Sequence, residues 1–328
     1  MINKKITNSK VIIILGPTSS GKTKLAVRLA ALFNGEIVSA DSRQVYKGMD
    51  VGTGKDLGEY TVPYHLIDVA DPKKQFDVAK YQKLAYQAID NILKRGKLPI
   101  VAGGSGLYLQ AVVDGYKLNK VKADKALRRE LEKLTIEQLL NKLKALNPAF
   151  ASKLNQSDSK NKRRLIRYVE IMSNNVIARS AVPTRHCGLD PQSRSLSIAA
   201  NSGFRLGGRN DVKIIGLTCP REVLNERIRQ RLIDRLEKED MIGEVKRLHR
   251  EGLSWKRLES FGLEYKFIAR YLQGKMKYEE MVEKLNIASR QFARKQMTWF
   301  RRWERQGREI EWMDDGEKAV GAVSKFLE

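Results

Sequence analysis

Val11-Ile12-Ile13-Ile14-Leu15-Gly16-Pro17-Thr18-Ser19-Ser20-Gly21-Lys22-Thr23 decides how the rest of the chain is read. Its first five residues are an unbroken aliphatic run, the composition of a strand buried on both faces, as parallel strands are. The next eight match G-x-x-x-x-G-K-[ST], and over residues 22–33 Leu25, Leu29 and Leu32 recur at helical spacing. A strand, then a glycine-rich turn, then a helix is the setting in which such a loop cradles phosphate. Glycines let consecutive N–H groups converge on an anion, and the helix that follows adds the positive end of its dipole. Gly16, Pro17, Thr18, Ser19, Ser20, Gly21, Lys22 and Thr23 are therefore the expected phosphate cradle. Lys22 would neutralise the outer phosphate, and the Thr23 hydroxyl would reach Mg²⁺ or a phosphate oxygen. The bland alternative is a ligand-free turn, which the flanking elements disfavour. The loop by itself leaves open whether its anion is a nucleotide or another diphosphate.

Working outward, residues 36–40, 64–67, 98–102 and 212–217 read as further strands, with a helix over 78–93 between two of them. Strands alternating with helices predict an α/β fold, a P-loop NTPase-like doubly wound parallel sheet. Between about 119 and 175 the strands stop, and charged helical patterns over 126–134, 136–146 and 160–172 predict an inserted helical subdomain. Residues 179–210 lose all periodicity, with Pro183 and Pro191 as breakers, and read as a long exposed loop holding His186 and Cys187. From Pro220 onward the chain is helical. The expected division is a core domain of 1–118 and 212–328, a helical subdomain of 119–178, and an irregular insertion of 179–211.

The charge narrows the partners. In 328 residues, 62 Lys and Arg face 38 Asp and Glu, a formal charge of +24, and a field of that sign concentrates polyanions near the surface. Nucleic acid is the first partner to consider, against the plainer reading that excess lysine only aids solubility. Cys187 and Cys219 are the only cysteines and there are three histidines, too few for a zinc cage. No apolar run is long enough for a membrane span, so the expectation is a soluble, cytoplasmic protein with no membrane association.

Asp41 follows the second predicted strand, and in open α/β sheets ligands sit beyond the carboxyl ends of the strands. It would face the phosphate loop, as a metal-holding or proton-accepting carboxylate, unless it merely caps the next turn. Ser42, Arg43 and Gln44 beside it can hydrogen-bond base edges or backbone of a nucleic acid, which a small-molecule kinase would not need.

With these residues in hand the chain resembles the tRNA dimethylallyltransferase (IPP transferase) family, which shares a Gly-Pro-Thr-x-x-Gly-Lys-Thr loop followed by Asp-Ser-x-Gln-x-Tyr. Further segments carry the resemblance across nearly the whole chain: Val51-Gly52-Thr53-Gly54-Lys55, Gly103-Gly104-Ser105-Gly106-Leu107-Tyr108, the arginine-rich tract from Asp158 to Arg167, and Gln291-Phe292-Ala293-Arg294-Lys295-Gln296 with Thr298-Trp299-Phe300-Arg301. There are two departures. Ser105 stands where the family has Thr, and residues 179–210 stand where it has a Thr-Gly-Lys turn and a short link.

The resemblance implies an enzyme that moves a dimethylallyl group from dimethylallyl diphosphate to the N6 amine of the adenosine 3′ to the anticodon, in tRNAs reading codons that begin with U. It implies Asp41 as general base, with Lys22 and Thr23 in catalysis and Mg²⁺ on the diphosphate. A downstream arginine shares that anion, Arg227 or Arg231. RNA contacts are implied at Asp41, Ser42, Arg43, Gln44, Ser105, Arg128 (Arg129 being the alternative) and along Arg163-Arg164-Leu165-Ile166-Arg167, gripping the tRNA anticodon loop. The family's habit implies a monomer. In the C-terminal stretch Arg290, Arg294, Lys295, Arg301, Arg302 and Arg305 interleave with Phe292, Trp299, Phe300 and Trp303; at helical spacing the aromatics read as core and the cations as the wet face. The rival functions are a P-loop kinase of a small metabolite or nucleoside, and an RNA-binding protein using a nucleotide only as a switch.

Overall fold

β1 (Val11–Leu15), β2 (Gly35–Ser39), β3 (Tyr64–His65), β4 (Leu98–Gly103), β5 (Val212–Leu217) and β6 (Glu311–Met313) form one all-parallel sheet in the order β3-β2-β4-β1-β5-β6. The computed structural model describes residues 10–116, 124–177 and 211–328; the irregular stretch expected over 179–211 lies almost wholly outside the described residues, as do His186 and Cys187. Those described fall into two compact units, one of 10–115 and 211–328, the other of 116 and 124–177.

The sheet belongs to the first unit. β1 sits between β4 and β5, and all five of its residues are fully buried. Successive side chains of a strand point to opposite faces. Val11, Ile13 and Leu15 accordingly join one core and Ile12 and Ile14 the other. Burial on both faces is why this strand reads as a continuous apolar run. α1 (Lys22–Leu32) covers the second face with Leu25, Ala26 and Leu29. α2 (Val78–Lys94) and α3 (Gly106–Asp114) cover the first, α2 opening on an Asp77 cap whose side chain accepts the Lys80 N–H at 3.0 Å.

The second unit comprises α4 (Lys125–Lys133), α5 (Ile136–Leu146), two short helices α6 (Pro148–Ala151) and α7 (Gln156–Ser159), and α8 (Lys162–Ile177). A reciprocal Thr135–Gln138 capping box starts α5. Leu131, Leu139, Leu143, Leu165, Ile166, Tyr168 and Val169 make its own core.

The first unit resumes with α9 (Arg221–Glu237), α10 (Met241–Arg250), α11 (Trp255–Ser260), α12 (Leu263–Leu272), α13 (Tyr278–Arg305) and α14 (Gly316–Leu327). α13 buries Met281, Leu285, Ala293, Phe300 and Trp303, and the Trp303 indole donates to Asp114 at 3.1 Å. Its opposite face exposes Arg294, Lys295, Arg301, Arg302 and Arg305, the division expected from helical spacing. α14 packs Ala319 and Val323 into the α1 side of the sheet. No helix among the described residues is long and apolar enough to cross a membrane.

Candidate active site

Because β2, β4 and β1 are adjacent and parallel, the loops leaving their carboxyl ends emerge side by side. The loop after β1 is residues 16–21, the turn after β2 carries Asp41, and the turn after β4 carries Ser105. Three segments far apart in sequence thus share one rim. Gly103 shows how closely they approach: a Cβ there would lie 2.2 Å from the Ala40 carbonyl oxygen, a distance no other residue type tolerates.

The 16–21 loop turns tightly between β1 and α1. Gly21 adopts φ 88° immediately before α1, a left-handed conformation that glycine takes without strain. Gly16 and Pro17 are buried, Thr18 and Ser19 half-buried. The Ser20 hydroxyl is buried with no partner among the described residues, a donor inside the loop suited to an oxygen of an anion. Lys22 donates to the Pro17 carbonyl at 2.6 Å. Burial first, then the positive charge of Arg231, pulls the Lys22 ammonium down to about 8, with Asp41 opposing part of that shift. Burial, with Asp41, Asp56 and Glu59 nearby, raises the Tyr60 phenol to about 12, against the opposing effect of the Thr23 hydroxyl that donates to it. Lys22, Thr23, Asp41 and Arg231 are therefore electrostatic neighbours.

The turn after β2 is fastened from both sides. Asp41 Oδ1 accepts the Arg43 N–H at 2.8 Å. The Ser105 hydroxyl accepts the Ser42 N–H at 2.9 Å and donates to the Ser42 hydroxyl at 3.2 Å, while the Ser105 N–H donates to Ala40 at 3.1 Å. Gln44 is tied internally: its amide nitrogen donates to Gly54 O at 2.8 Å and its oxygen accepts from Ser39 at 2.9 Å. The sequence marked Gln44 for RNA; its side-chain bonds make it a brace between the β2 end and the 52–55 loop.

Of the two candidate arginines, Arg231 lies in the site and Arg227, one turn earlier on α9, is exposed to solvent. Arg231 ion-pairs with Asp56 and contacts Gly54 O at 3.4 Å, and the buried Arg235 approaches Asp56 at 3.5 Å. Glu264, at the start of α12, faces Arg235, Arg43 and Arg231, yet burial dominates and raises its carboxyl above the usual range. Behind this cluster Glu244 holds the 50–52 backbone: its carboxylate accepts from Asp50 N at 2.6 Å, Val51 N at 2.8 Å, Gly52 N at 3.0 Å and the Tyr265 hydroxyl at 2.7 Å.

In the helical unit, Arg163 is exposed, whereas Arg164 ion-pairs with Asp158. Arg128 and Arg167 both grip the fully buried Glu170 carboxylate, Arg128 through Nε at 2.9 Å and Nη2 at 2.7 Å. The two cations and the Asp124 N–H hold Glu170 below the usual carboxylate range against the opposing effect of burial. Arg129 is exposed. Two expectations are corrected here. Leu165, 0% exposed, and Ile166, 6% exposed, pack into the unit's core, so their side chains cannot reach RNA. Flanked by arginines in sequence, they take the opposite face of α8 because the helix turns about 100° per residue.

Several residues at the rim carry no motif that would have flagged them: Tyr60, Arg235, Glu244, Glu264 and Gln296. Gln296 lies within a stretch quoted for its likeness, but its partners, Thr18 N at 2.8 Å and Gly104 O at 2.9 Å, depend on a packing of α13 that no local pattern encodes. Tyr81 and Tyr108 stack with centroids 3.9 Å apart, both near enough to Asp41 to feel its charge.

Residues 44–303 match the family model described as IPP transferase. The chain is 45% identical over 306 residues to tRNA dimethylallyltransferase 2 of Treponema denticola, covering 92% of this chain and 95% of that one. It is 42% identical over 309 residues to tRNA dimethylallyltransferase 1 of Geotalea uraniireducens, covering 94% and 93%. Among solved structures, the full-length tRNA isopentenylpyrophosphate transferase of Bacillus halodurans matches with a TM-score of 0.65 at 35% identity, over 98% of this chain and 96% of that one. A G-x-x-x-x-G-K-T loop, a neighbouring carboxylate and end-to-end similarity agree, and the chain belongs to the IPP transferase family.

Proposed function

We propose that this chain is a tRNA dimethylallyltransferase, moving the dimethylallyl group of dimethylallyl diphosphate to N6 of the adenosine 3′ to the anticodon in tRNAs that read codons beginning with U. The observation that carries the reading is the grouping of Asp41, Lys22, Thr23 and Arg231 at one sheet rim, a base beside an anion cradle.

The exocyclic amine is a poor nucleophile because its lone pair is delocalised into the ring. Asp41 accepts one of its protons as the N6–C1 bond forms and the C1–O bond to diphosphate breaks, a contribution of about 10²- to 10⁴-fold for a positioned base. Charge growing on the departing diphosphate meets Lys22, the Ser20 hydroxyl, Arg231 and those loop N–H groups that the protein does not itself use, the Thr18 N–H being held by Gln296. Arg227 is left to solvent. Among the described residues no cluster of three or more His, Cys, Asp or Glu could hold a metal alone. The Thr23 hydroxyl would be the protein ligand of a Mg²⁺ ion, which would neutralise charge on the diphosphate.

The loop, its helix and the parallel sheet together support a P-loop NTPase-like class for the fold. Ser42, Arg43 and Ser105 line the RNA side of the same rim, and the helical unit supplies Arg163, Arg164, Arg128 and Arg167 for the anticodon loop, whose target base must leave its stack to reach Asp41. The enzyme works as a monomer in the cytoplasm, where its tRNA is. Incubation with unmodified tRNA and labelled dimethylallyl diphosphate tests this: label in the RNA is the expected result, and ATP hydrolysis without labelling would support a kinase or a nucleotide switch instead.

A further inference from the structure

α13 reaches the rim through Trp299, whose ring lies against Gly106, and through Gln296, which alone of the two bonds to the 16–21 loop. Gln296 is 6% exposed, and its amide makes two bonds in opposite directions: the oxygen accepts the Thr18 N–H of the phosphate loop at 2.8 Å, and the nitrogen donates to the Gly104 carbonyl at 2.9 Å. These two segments belong to different halves of the chemistry. Thr18 lies in the loop that would hold the diphosphate. Gly104 precedes Ser105, whose hydroxyl fixes the Ser42 N–H, and Ser42 is the neighbour of Asp41. Hydrogen bonds joined by the Gly104–Ser105 and Asp41–Ser42 peptide links therefore connect the anion cradle through Gln296 and the β4–α3 turn to the segment carrying the base.

From this we infer that Gln296 is a positioning residue for transfer, setting the distance between the diphosphate cradle and the Asp41 turn; the inference rests on the reading of the rim as a dimethylallyl transfer centre. A side-chain amide suits the place at any pH, because one bond needs an acceptor and the other a donor on the same planar group, a pairing that a carboxyl offers only when protonated. The support is also buried, so water cannot replace either bond cheaply. Loss of Gln296 leaves each half-site able to bind its own substrate and lets the two drift relative to each other. Misplacement by about 1 Å can cost about 10²-fold in rate. The expected signature is therefore a fall in kcat with little change in KM.

The test uses the full-length protein in three forms: wild type, Gln296→Ala and Gln296→Glu. With unmodified tRNA and dimethylallyl diphosphate, Gln296→Ala is expected to lose about 10²-fold in kcat, with KM for both substrates within about threefold of wild type. Gln296→Glu can accept from Thr18 at any pH but can donate to Gly104 only when protonated. Its activity relative to wild type should therefore climb as pH falls, whereas the relative activity of Gln296→Ala stays flat. If the alanine variant does not fold, the pH profile of the glutamate variant decides alone. A kcat within threefold of wild type in the alanine variant, or a flat relative profile for the glutamate variant, overturns the inference. Wild-type protein that labels no tRNA would sink the functional reading separately. In that case amide exchange still judges the relay: faster exchange over residues 16–22 in either variant supports it, and unchanged exchange refutes it.

Discussion

Among the described residues the Asp41 carboxylate is anchored by one oxygen: Oδ1 accepts the Arg43 backbone N–H at 2.8 Å. Anchoring one oxygen fixes the direction of the group while the other oxygen remains available to take a proton, the geometry a general base needs.

Asp41→Asn preserves an acceptor for Arg43 N–H and removes the base. It should lower the single-turnover rate of transfer by about 10²- to 10⁴-fold while leaving tRNA affinity within about threefold. A filter-binding titration alongside the rate measurement separates the two effects. Full activity in this variant would remove Asp41 from the chemistry.

Lys22 connects catalysis with stability. Its ammonium is held at about 8 in the folded chain against an ordinary 10.5, so between those values the unfolded chain binds more protons and folding strengthens as pH rises. Below about pH 8 the folded protein carries a charge it has partly desolvated. Lys22→Met should therefore raise the thermal midpoint at pH 7 by about 2 °C, a gain kept small because the side chain is only half-buried, and the gain should vanish above the ordinary lysine range. The same variant should lose transfer almost entirely. In wild type, kcat/KM for dimethylallyl diphosphate should fall as pH rises through about 8, the value of the free enzyme.

Ser105 acts through the Asp41 turn rather than on substrate alone. Removing its hydroxyl in Ser105→Ala leaves the half-buried Ser42 N–H without its 2.9 Å partner, a loss of about 1 kcal/mol. The expected rate loss is about fivefold, and Ser105→Thr, which keeps the oxygen, should recover most of it. Equal rates for all three forms would show that the turn is held by the Ser105 N–H to Ala40 bond alone.

The sequence was most legible where burial is symmetric or a motif fixes the backbone. Val11–Leu15 and Val212–Leu217 stand where the apolar runs predict them, because a central parallel strand must be apolar on both faces. The strand expected over 64–67 stops at His65. Leu66 and Asp68 take φ 65° and 58°, so the chain leaves the extended region where its composition still favours it. β6 has three residues at the sheet edge, too few to show a period, and α3 was hidden behind a glycine-rich turn that reads as loop. The site divided the same way. Loop and carboxylate announced themselves by local spacing, whereas Gln296, Glu244 and Glu264 reach the rim only through long-range packing. Leu165 and Ile166 mark the opposite error, since the resemblance carried the whole tract 163–167 to RNA and the helix turns these two side chains into the core.

The arginines of the helical unit differ in what their removal should report. Arg128 and Arg167 are both bound to the buried Glu170, so replacing either takes a cation from a buried carboxylate. Breaking a buried pair costs about 3–5 kcal/mol. The cost falls where the carboxylate stays behind, so Arg128→Ala or Arg167→Ala should lower the thermal midpoint of this unit, whatever the arginines do for RNA. Arg163 is exposed and has no ion pair among the described residues, which makes it the clean probe. Arg163→Glu should leave the thermal midpoint unchanged, raise KM for tRNA, and reduce the slope of log affinity against log salt by about 1, the mark of one lost phosphate contact. A tRNA affinity and salt slope equal to wild type would place the RNA elsewhere on the protein and leave α8 with a purely structural role.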